Sequence, residues 1–502
     1  GPLPGAAVIV QGTDDGVTTD FDGNYSIEAN EGDVLEFSFI GMTTATATVG
    51  ADDVINMTLA SSENRLEEVV VVGYSSQTRG DITGSVASVD MDEALKVPVA
   101  NAAEALQGRV TGVTVINNGA PGAAPQITIR GLGTSNNTNP LFIIDGVQTD
   151  DPNVLNSIDP SDIEQMNVLK DGAAAIYGAR ASNGVIIVST KSGGYSGKAT
   201  LNVDFYTGFS EVANTLNLLS AQQHGEMVWE SLANDGAVLT HPQYGSGPSP
   251  VVPSQLQSPV PVPATVVPGG TDWQDAITET APTTNITVSA SNGNENGQYF
   301  MSVGYFNRDG VLKYTGFERA TTRLNSEFRV LGDKVVVGEH MNISFSNGNS
   351  GNAEAYENAF RSSPLIPTYD DNGNLAGTYA AAAGLGNARS PLAQLFRGRD
   401  DFNKSLRVFG DVYLKWDITD DFSFKSTYGV SLNNFDRQTF TALDPEHGEP
   451  LATNTLNVED QYTADWNWSN VLTWDKSFGD HNINAILGIE AVKGQGRGKG
   501  VT

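Results

Sequence analysis

Few residue groups in this 502-residue chain are spaced for chemistry. Its five histidines (His224, His241, His340, His447 and His481) are scattered and fit no metal-ligand spacing. Cysteine is absent, so the fold needs no disulfide and thiolate zinc sites are excluded. Gly131-Leu132-Gly133 lacks the third glycine of a dinucleotide loop, because Asn136 stands in its place; a turn is the better reading. Asp159-Pro160-Ser161-Asp162, ahead of Ile163-Glu164, reads as a helix start and not as a carboxylate pair. In Asp20-Phe21-Asp22-Gly23-Asn24 the glycine comes fourth, whereas a calcium loop needs it sixth, so a tight hairpin turn is expected. No catalytic residue, metal or cofactor is assigned. Two stretches are suited to binding. The first is Glu67-Glu68-Val69-Val70-Val71-Val72-Gly73. Its β-branched run favours extended backbone, and its polar flanks leave two readings: a buried strand, or an unpaired strand displayed for a partner. The second is the 133–139 loop, GTSNNTN. Thr134, Ser135, Asn136, Asn137 and Thr138 offer donors and acceptors without bulk or charge, which suits a sugar or a peptide backbone, or a plain surface turn.

The elements that must position these stretches follow from texture. The chain is too long for one core, so three or four units are expected. Its net charge of −31 argues against nucleic acid, which demands clustered Lys and Arg. No apolar run is long enough for a membrane helix. Residues 1–60 read as a small all-β domain with strands at Ala6–Val10, Asn24–Glu28, Val34–Ile40 and Ile55–Leu59. Residues 104–193 read as a mixed α/β globule with strands at Val113–Ile116, Ile127–Ile129, Phe142–Ile144 and Val185–Ser189. Beyond Lys198 come nine longer alternating strands, near 199–209, 284–291, 298–308, 319–330, 334–346, 404–418, 421–433, 462–476 and 481–493. Their connections alternate between short and long, as in an outer-membrane barrel, where turns are short on the periplasmic side and loops long outside. Trp416, Phe422, Trp466 and Trp474 suit interfacial girdles near strand ends. Nine strands cannot close such a barrel, so the chain is expected to stop partway round it.

Three groups of residues carry a resemblance. Leu3-Pro4-Gly5-Ala6, Gln11-Gly12-Thr13, Thr19 to Tyr25 and Phe39-Ile40-Gly41 resemble carboxypeptidase-regulatory-like sandwich domains, with the family's first strand missing. Leu66 to Tyr74 form the second group. The third comprises Leu106 to Val110, Ile129-Arg130-Gly131, Pro140 to Val147, Leu169-Lys170-Asp171, Ala174 to Gly178 and Ala181 to Ile186. Together they resemble the N-terminal half of SusC-like TonB-dependent outer-membrane transporters of the Bacteroidetes. The resemblance implies a mainly β fold: a sandwich over 1–62, a TonB-box linker over 63–80, a small α/β plug over 81–195, and an incomplete barrel over 196–502. Nine of an expected twenty-two strands would be present. It implies active import of an oligosaccharide or peptide with a SusD-like surface lipoprotein. TonB, energised with ExbB and ExbD, would contact Glu67, Glu68, Val69, Val70, Val71, Val72 and Gly73. The barrel would sit in outer-membrane lipid, with the N-terminal domain on the periplasmic side and the 133–139 loop at the plug apex. The alternatives are a siderophore or cobalamin receptor sharing the plug and barrel, and a non-transporting surface adhesin.

Overall fold

The computed structural model describes residues 2–11, 13, 16–39, 42, 44–50, 52, 54–59, 69–72, 75–78, 84–134, 136–195, 197–479 and 481–501. The chain divides into two compact units, Gly1–Thr83 and Gly84–Thr502. The first holds a four-stranded antiparallel sheet, in the order Gly16–Thr18, Ala7–Val10, Val34–Ser38, Ala45–Thr48. Val8, Val10, Leu35 and Phe37 form its core. The expected strands at Asn24–Glu28 and Ile55–Leu59 do not join this ladder. Their apolar residues Tyr25, Ile27, Ile55, Met57 and Leu59 still pack on the core, and the Tyr25 hydroxyl donates to the Ile55 carbonyl at 2.8 Å. Gly16–Thr18 and Ala45–Thr48 pair instead; small half-buried side chains give such edges little signal in a sequence. The turn at Asp20 forms as expected, with its carboxylate accepting from the backbone of Asp22 at 2.9 Å and of Asn24 at 2.8 Å.

Val69–Val72 is extended, but it is not unpaired. It runs antiparallel to Ser75–Thr78 in a two-stranded ladder. A partner so near in sequence costs little loop-closure entropy, and that locality satisfies one edge. Among the described residues the other edge has no partner strand. Glu67, Glu68 and Gly73 lie outside the described residues.

In the second unit, the globule is built on a five-stranded sheet. Its order is Val147–Thr149, Leu141–Ile144, Val185–Thr190, Ile163–Lys170, Ser85–Asp90. Only the Leu141–Ile144 and Val185–Thr190 pair is parallel. Val113–Ile116 and Gln126–Ile129 form a separate ladder beside it. Phe142, Ile144, Leu155, Ile158, Met166 and Val188 fill the core. All four strands read from the sequence are present. Ile163–Lys170 is a further strand that alternation in the sequence does not mark. The helix start before it is real, since Asp159 caps Ser161 at 2.9 Å, but the helix covers only Pro160–Asp162 before the chain extends.

The nine long strands form one antiparallel sheet in sequence order. They are Thr200–Ser210, Ala281–Asn294, Gly297–Asp309, Gly316–Val330, Val335–Asn349, Phe402–Asp417, Phe422–Thr441, Thr455–Phe478 and His481–Val501. All nine expected strands appear, several of them longer. Trp466 therefore lies mid-strand, stacked on Tyr428 at 6.0 Å, and not near an end. Trp416, Phe422 and Trp474 do gather at the short-turn end. The sheet is inverted relative to a soluble one. Leu201, Val203, Phe205, Met301, Val303 and Val412 face outward and are exposed, whereas Thr287, Ser302, Arg319, Arg323, Asn342 and Arg407 face inward and are buried against the globule. That is the alternation of a membrane barrel wall.

The long connections are not open loops. Residues 211–280 and 350–401 fold together around Trp229, Tyr244, Trp273, Leu365, Leu392 and Leu395. Helix Ala221–Asn234 starts on a capping box between Ser220 and Gln223. Arg397 clamps Glu446 of the 442–454 connection with two hydrogen bonds, at 2.6 and 2.8 Å.

Candidate binding site

Period-2 alternation places every second wall residue against the globule, so the wall's inward polar rows meet the globule's own polar edge. Toward the middle of the strands this produces a dry seam. Arg323, 1% exposed, donates to Asp145 at 3.2 Å and to the Thr190 hydroxyl at 2.9 Å, and its Nε lies 3.9 Å from Asp162. Asn325 donates to Thr190 at 2.8 Å and to the Lys191 carbonyl at 2.7 Å. Asp145 in turn accepts the Thr190 amide at 2.9 Å and holds a left-handed backbone at φ 51°. Asp159 accepts from Thr287 at 2.8 Å, Asp162 from Ser302 at 2.7 Å, and the Ser157 carbonyl accepts from Asn342 at 2.9 Å. Gly304 is the wall position facing Asp159; a Cβ there would lie 2.8 Å from its carboxylate. Arg319 donates to the carbonyls of Ala100 at 3.3 Å and Asn156 at 3.0 Å.

Charge in this seam is unevenly shared. Arg323 leans toward Asp145, and Asp162 keeps one carboxylate oxygen without a partner. Burial, aided by repulsion from Asp159, lifts the Asp162 carboxyl to about 6 against the pull of Arg323 and Ser302.

Toward the long-connection end the same wall and globule part to leave a cavity of about 690 Å³. Its globule side is the 118–123 turn and residues 149–157, and its wall side comes from the strands flanking the 350–401 and 442–454 connections, with Phe317 added from the Gly316–Val330 strand. Among the described residues its charged lining is three carboxylates (Asp150, Asp151 and Asp465) and one guanidinium, Arg407. Arg407 is ion-paired to Asp151. Burial raises the Asp151 carboxyl, but Arg407 and the hydrogen bonds from Asn153 outweigh it and hold the group below the usual carboxylate range. Hydroxyls, carboxamides and the rings of Phe317 and Phe435 make up most of the rest. Such a lining can hydrogen-bond a hydrophilic chain and stack on its apolar faces.

Of the loop singled out in the sequence, Ser135 lies outside the described residues. Thr134, Asn136 and Asn137 are exposed and Thr138 is half-buried. The loop is held by Asn183, which donates to the carbonyls of Asn137 at 2.8 Å and Asn139 at 3.2 Å; none of its described residues lines the cavity. Sequence reasoning missed the residues that do the joining: Asp145, Asp151, Asp162, Arg319, Arg323 and Arg407. The one available signal was arginine at inward-parity positions of strands whose other inward residues are Ser, Thr and Asn. Reading Asp159 and Asp162 only as a helix start also proved too narrow, because both carboxylates are buried in the seam.

Comparison with known proteins adds independent findings. Residues 78–185 match the TonB-dependent Receptor Plug Domain family, and residues 1–71 match the CarboxypepD_reg-like domain family. The chain is 33% identical over 503 residues to TonB-dependent receptor P26 of Formosa agariphila, across 98% of this chain and 48% of that protein. It is 35% identical over 382 residues to TonB-dependent receptor SusC of Bacteroides thetaiotaomicron, across 74% of this chain and 35% of that protein. The chain thus spans about half the length, or less, of the curated relatives it matches. Among solved structures, the RagAB peptide importer in its open-open state superposes with a TM-score of 0.71 at 26% identity, covering 86% of this chain and 50% of that one. The unliganded ferric citrate transporter FecA shares the fold alone, with a TM-score of 0.53 at 9% identity.

Proposed function

The chain belongs to the SusC-like family of TonB-dependent receptors, and from that premise we propose that it serves the active import of a hydrophilic oligomer, an oligosaccharide or a peptide, across the outer membrane. The observation that carries this reading is the inverted wall. Apolar side chains face outward and polar ones inward, and the plug seats on the polar face beside a hydrophilic cavity at the long-connection end. In this reading the long connections are extracellular and a SusD-like lipoprotein delivers substrate from that side. A structural neighbour supports the peptide half of that class: the RagAB complex is a peptide importer. The described residues of the Val69–Val72 hairpin offer an edge that TonB can extend as a further strand, with main-chain hydrogen bonds supplying affinity. The 133–139 loop is a second exposed polar surface for the substrate.

The test is uptake of labelled oligosaccharides and peptides by cells carrying the intact protein, with and without the proton gradient, alongside purification to identify a bound lipoprotein. Gradient-dependent uptake and a copurifying lipoprotein are expected. Surface binding without uptake would favour an adhesin instead.

A further inference from the structure

We propose that the plug–wall cavity sorts substrates by charge: it accepts neutral and cationic hydrophilic oligomers and excludes polyanionic ones. The proposal rests on the import reading above and concerns the same cavity. Its starting observation is the balance of charge. Three carboxylates and one guanidinium line the space, and the guanidinium of Arg407 is already committed to Asp151. Asp150 and Asp465 have no ion-pair partner among the described residues. The described lining is therefore net negative toward whatever enters. An incoming carboxylate or sulfate would find no free guanidinium or ammonium among the described lining residues, and it would have to displace Asp151 to reach Arg407.

An independent observation marks the space as a ligand site and not merely an acidic patch. Ser344 and Ser431, on the wall side, are 3% and 5% exposed, and both line the cavity. Neither side chain has a hydrogen-bond partner among the described residues. Both line the cavity, so a bound ligand can take up the hydrogen bonds that these hydroxyls do not make to the described protein groups. A hydroxyl both donates and accepts, and so do the carboxamides of Asn153 and Asn433 beside them. Sugar hydroxyls and peptide amides fit that chemistry equally well. The two aspartates decide among them by charge: ammonium groups gain, neutral groups are indifferent, and carboxylate or sulfate groups lose. Facing carboxylates also exclude by leaving anionic groups desolvated and unpaired, which is a repulsive route to specificity.

The experiment is a binding titration of the intact, purified protein against two probe series matched in length. One is hexasaccharides: N-acetylchitohexaose, chitosan hexamer and hexagalacturonate. The other is heptapeptides of Ser and Gly, unmodified or carrying three Lys or three Glu. The expected order in whichever series binds is cationic at least equal to neutral, with anionic weaker by about tenfold or more. The two series distinguish a glycan site from a peptide site. Asp150→Asn with Asp465→Asn should narrow the anionic deficit, measured against the same variant's neutral-probe affinity, to about threefold or less. Salt checks the same point without a variant, because raising ionic strength from about 0.02 to about 0.5 M should compress the charge order. Anionic probes binding as tightly as neutral ones, or a charge order indifferent to both salt and the double variant, would overturn the charge rule and leave the import reading standing. Failure of every probe to bind would overturn the cavity as a hydrophilic-oligomer site, and this proposal with it.

Discussion

Arg323 and Arg407 both point inward from one sheet, two strands apart, and both meet aspartates of the plug, yet they sit in opposite surroundings. Arg323 is sealed: its partners Asp145 and Asp162 are also buried, with side chains 8% and 1% exposed. Arg407 is equally buried, but Asp151, at 36%, opens onto the cavity. The same residue types therefore hold the plug in one place and line a solvent-filled space in the other. What separates them is what surrounds the pair. In the seam, Thr190, Ser302 and Asn325 close over the charges, whereas at the cavity Ser344 and Ser431 are left open. A buried ion pair contributes little net stability against an apolar replacement, but removing one member strands its partner. The seam is thus better understood as a device that fixes the plug's register on the wall than as a source of large stability.

Breaking the seam should give the largest effect. Arg323→Ala leaves Asp145 and Asp162 buried without their cation, and a loss of about 3–5 kcal/mol is expected. Thermal unfolding of the detergent-solubilised protein, with limited proteolysis of residues 84–195, reads this out. The triple change Arg323→Met, Asp145→Asn and Asp162→Asn should recover most of the loss, since no charge is then stranded. A single variant as stable as wild type would mean the seam does not anchor the plug.

The next effect is one of pH. With its carboxyl raised to about 6, Asp162 binds a proton more readily in the folded protein than in the unfolded chain. Between about pH 4 and pH 6 the folded state therefore holds more protons, and stability from this group falls as pH rises through that window. The span is up to about 3 kcal/mol, taken from the shift at about 1.4 kcal/mol per unit. Asp162→Asn should flatten this slope between pH 4.5 and 7 in melting experiments. Asp151, held below the ordinary range, has the opposite sign: it stabilises above about pH 4 and loses that contribution in acid. A parallel Asp151→Asn curve thus separates seam from cavity.

The Val69–Val72 hairpin is a contact of a third kind, made by main chain alone. In an antiparallel ladder, alternate residues aim their N–H groups at opposite edges. Val70→Pro with Val72→Pro removes two donors from one edge, and Val69→Pro with Val71→Pro removes two from the other. One double variant should open the local hairpin. The other should weaken a TonB complex by about 1–3 kcal/mol, or about five- to a hundredfold, and abolish uptake. Substrate binding and barrel insertion should persist in both. Native uptake by both variants would remove the segment from the coupling mechanism.

Much of this fold was legible because strand alternation and connection length are local signals. Nine wall strands and four plug strands fall where the residues place them. The misses have physical causes. Ile163–Lys170 is buried along nearly its whole length, so it shows no alternation to read. The 211–280 and 350–401 connections look like loops because their core is shared between segments far apart in sequence, for example Trp273 with Leu365. The site was least legible. Arg323 and Asp145 are separated by 178 residues, and only the register of plug on wall brings them within 3.2 Å. No single stretch carries that information, whereas the signal of the polar 133–139 loop is contiguous in the sequence.

That contrast gives the smallest and most discriminating prediction. Two polar surfaces of the plug–wall unit compete as the place where substrate is held: the cavity, with Ser344 and Ser431, and the exposed loop, with Asn136 and Asn137. A hydroxyl on a nearly buried wall residue is held in place before ligand arrives, so it loses little freedom when ligand replaces cavity water and its removal should be felt. An exposed carboxamide already bonds water, and most of what it gains from ligand it loses from solvent. Ser344→Ala with Ser431→Ala is expected to weaken binding of the preferred probe by about tenfold. Asn136→Ala with Asn137→Ala should cost about twofold to threefold, because the loop's anchoring bonds run from Asn183 to backbone carbonyls and survive the change. Equilibrium titration of both double variants with the same hexasaccharide or heptapeptide decides the matter. If the loop variant loses more than the cavity variant, the exposed 133–139 surface is the principal contact and the cavity is a passage beside it.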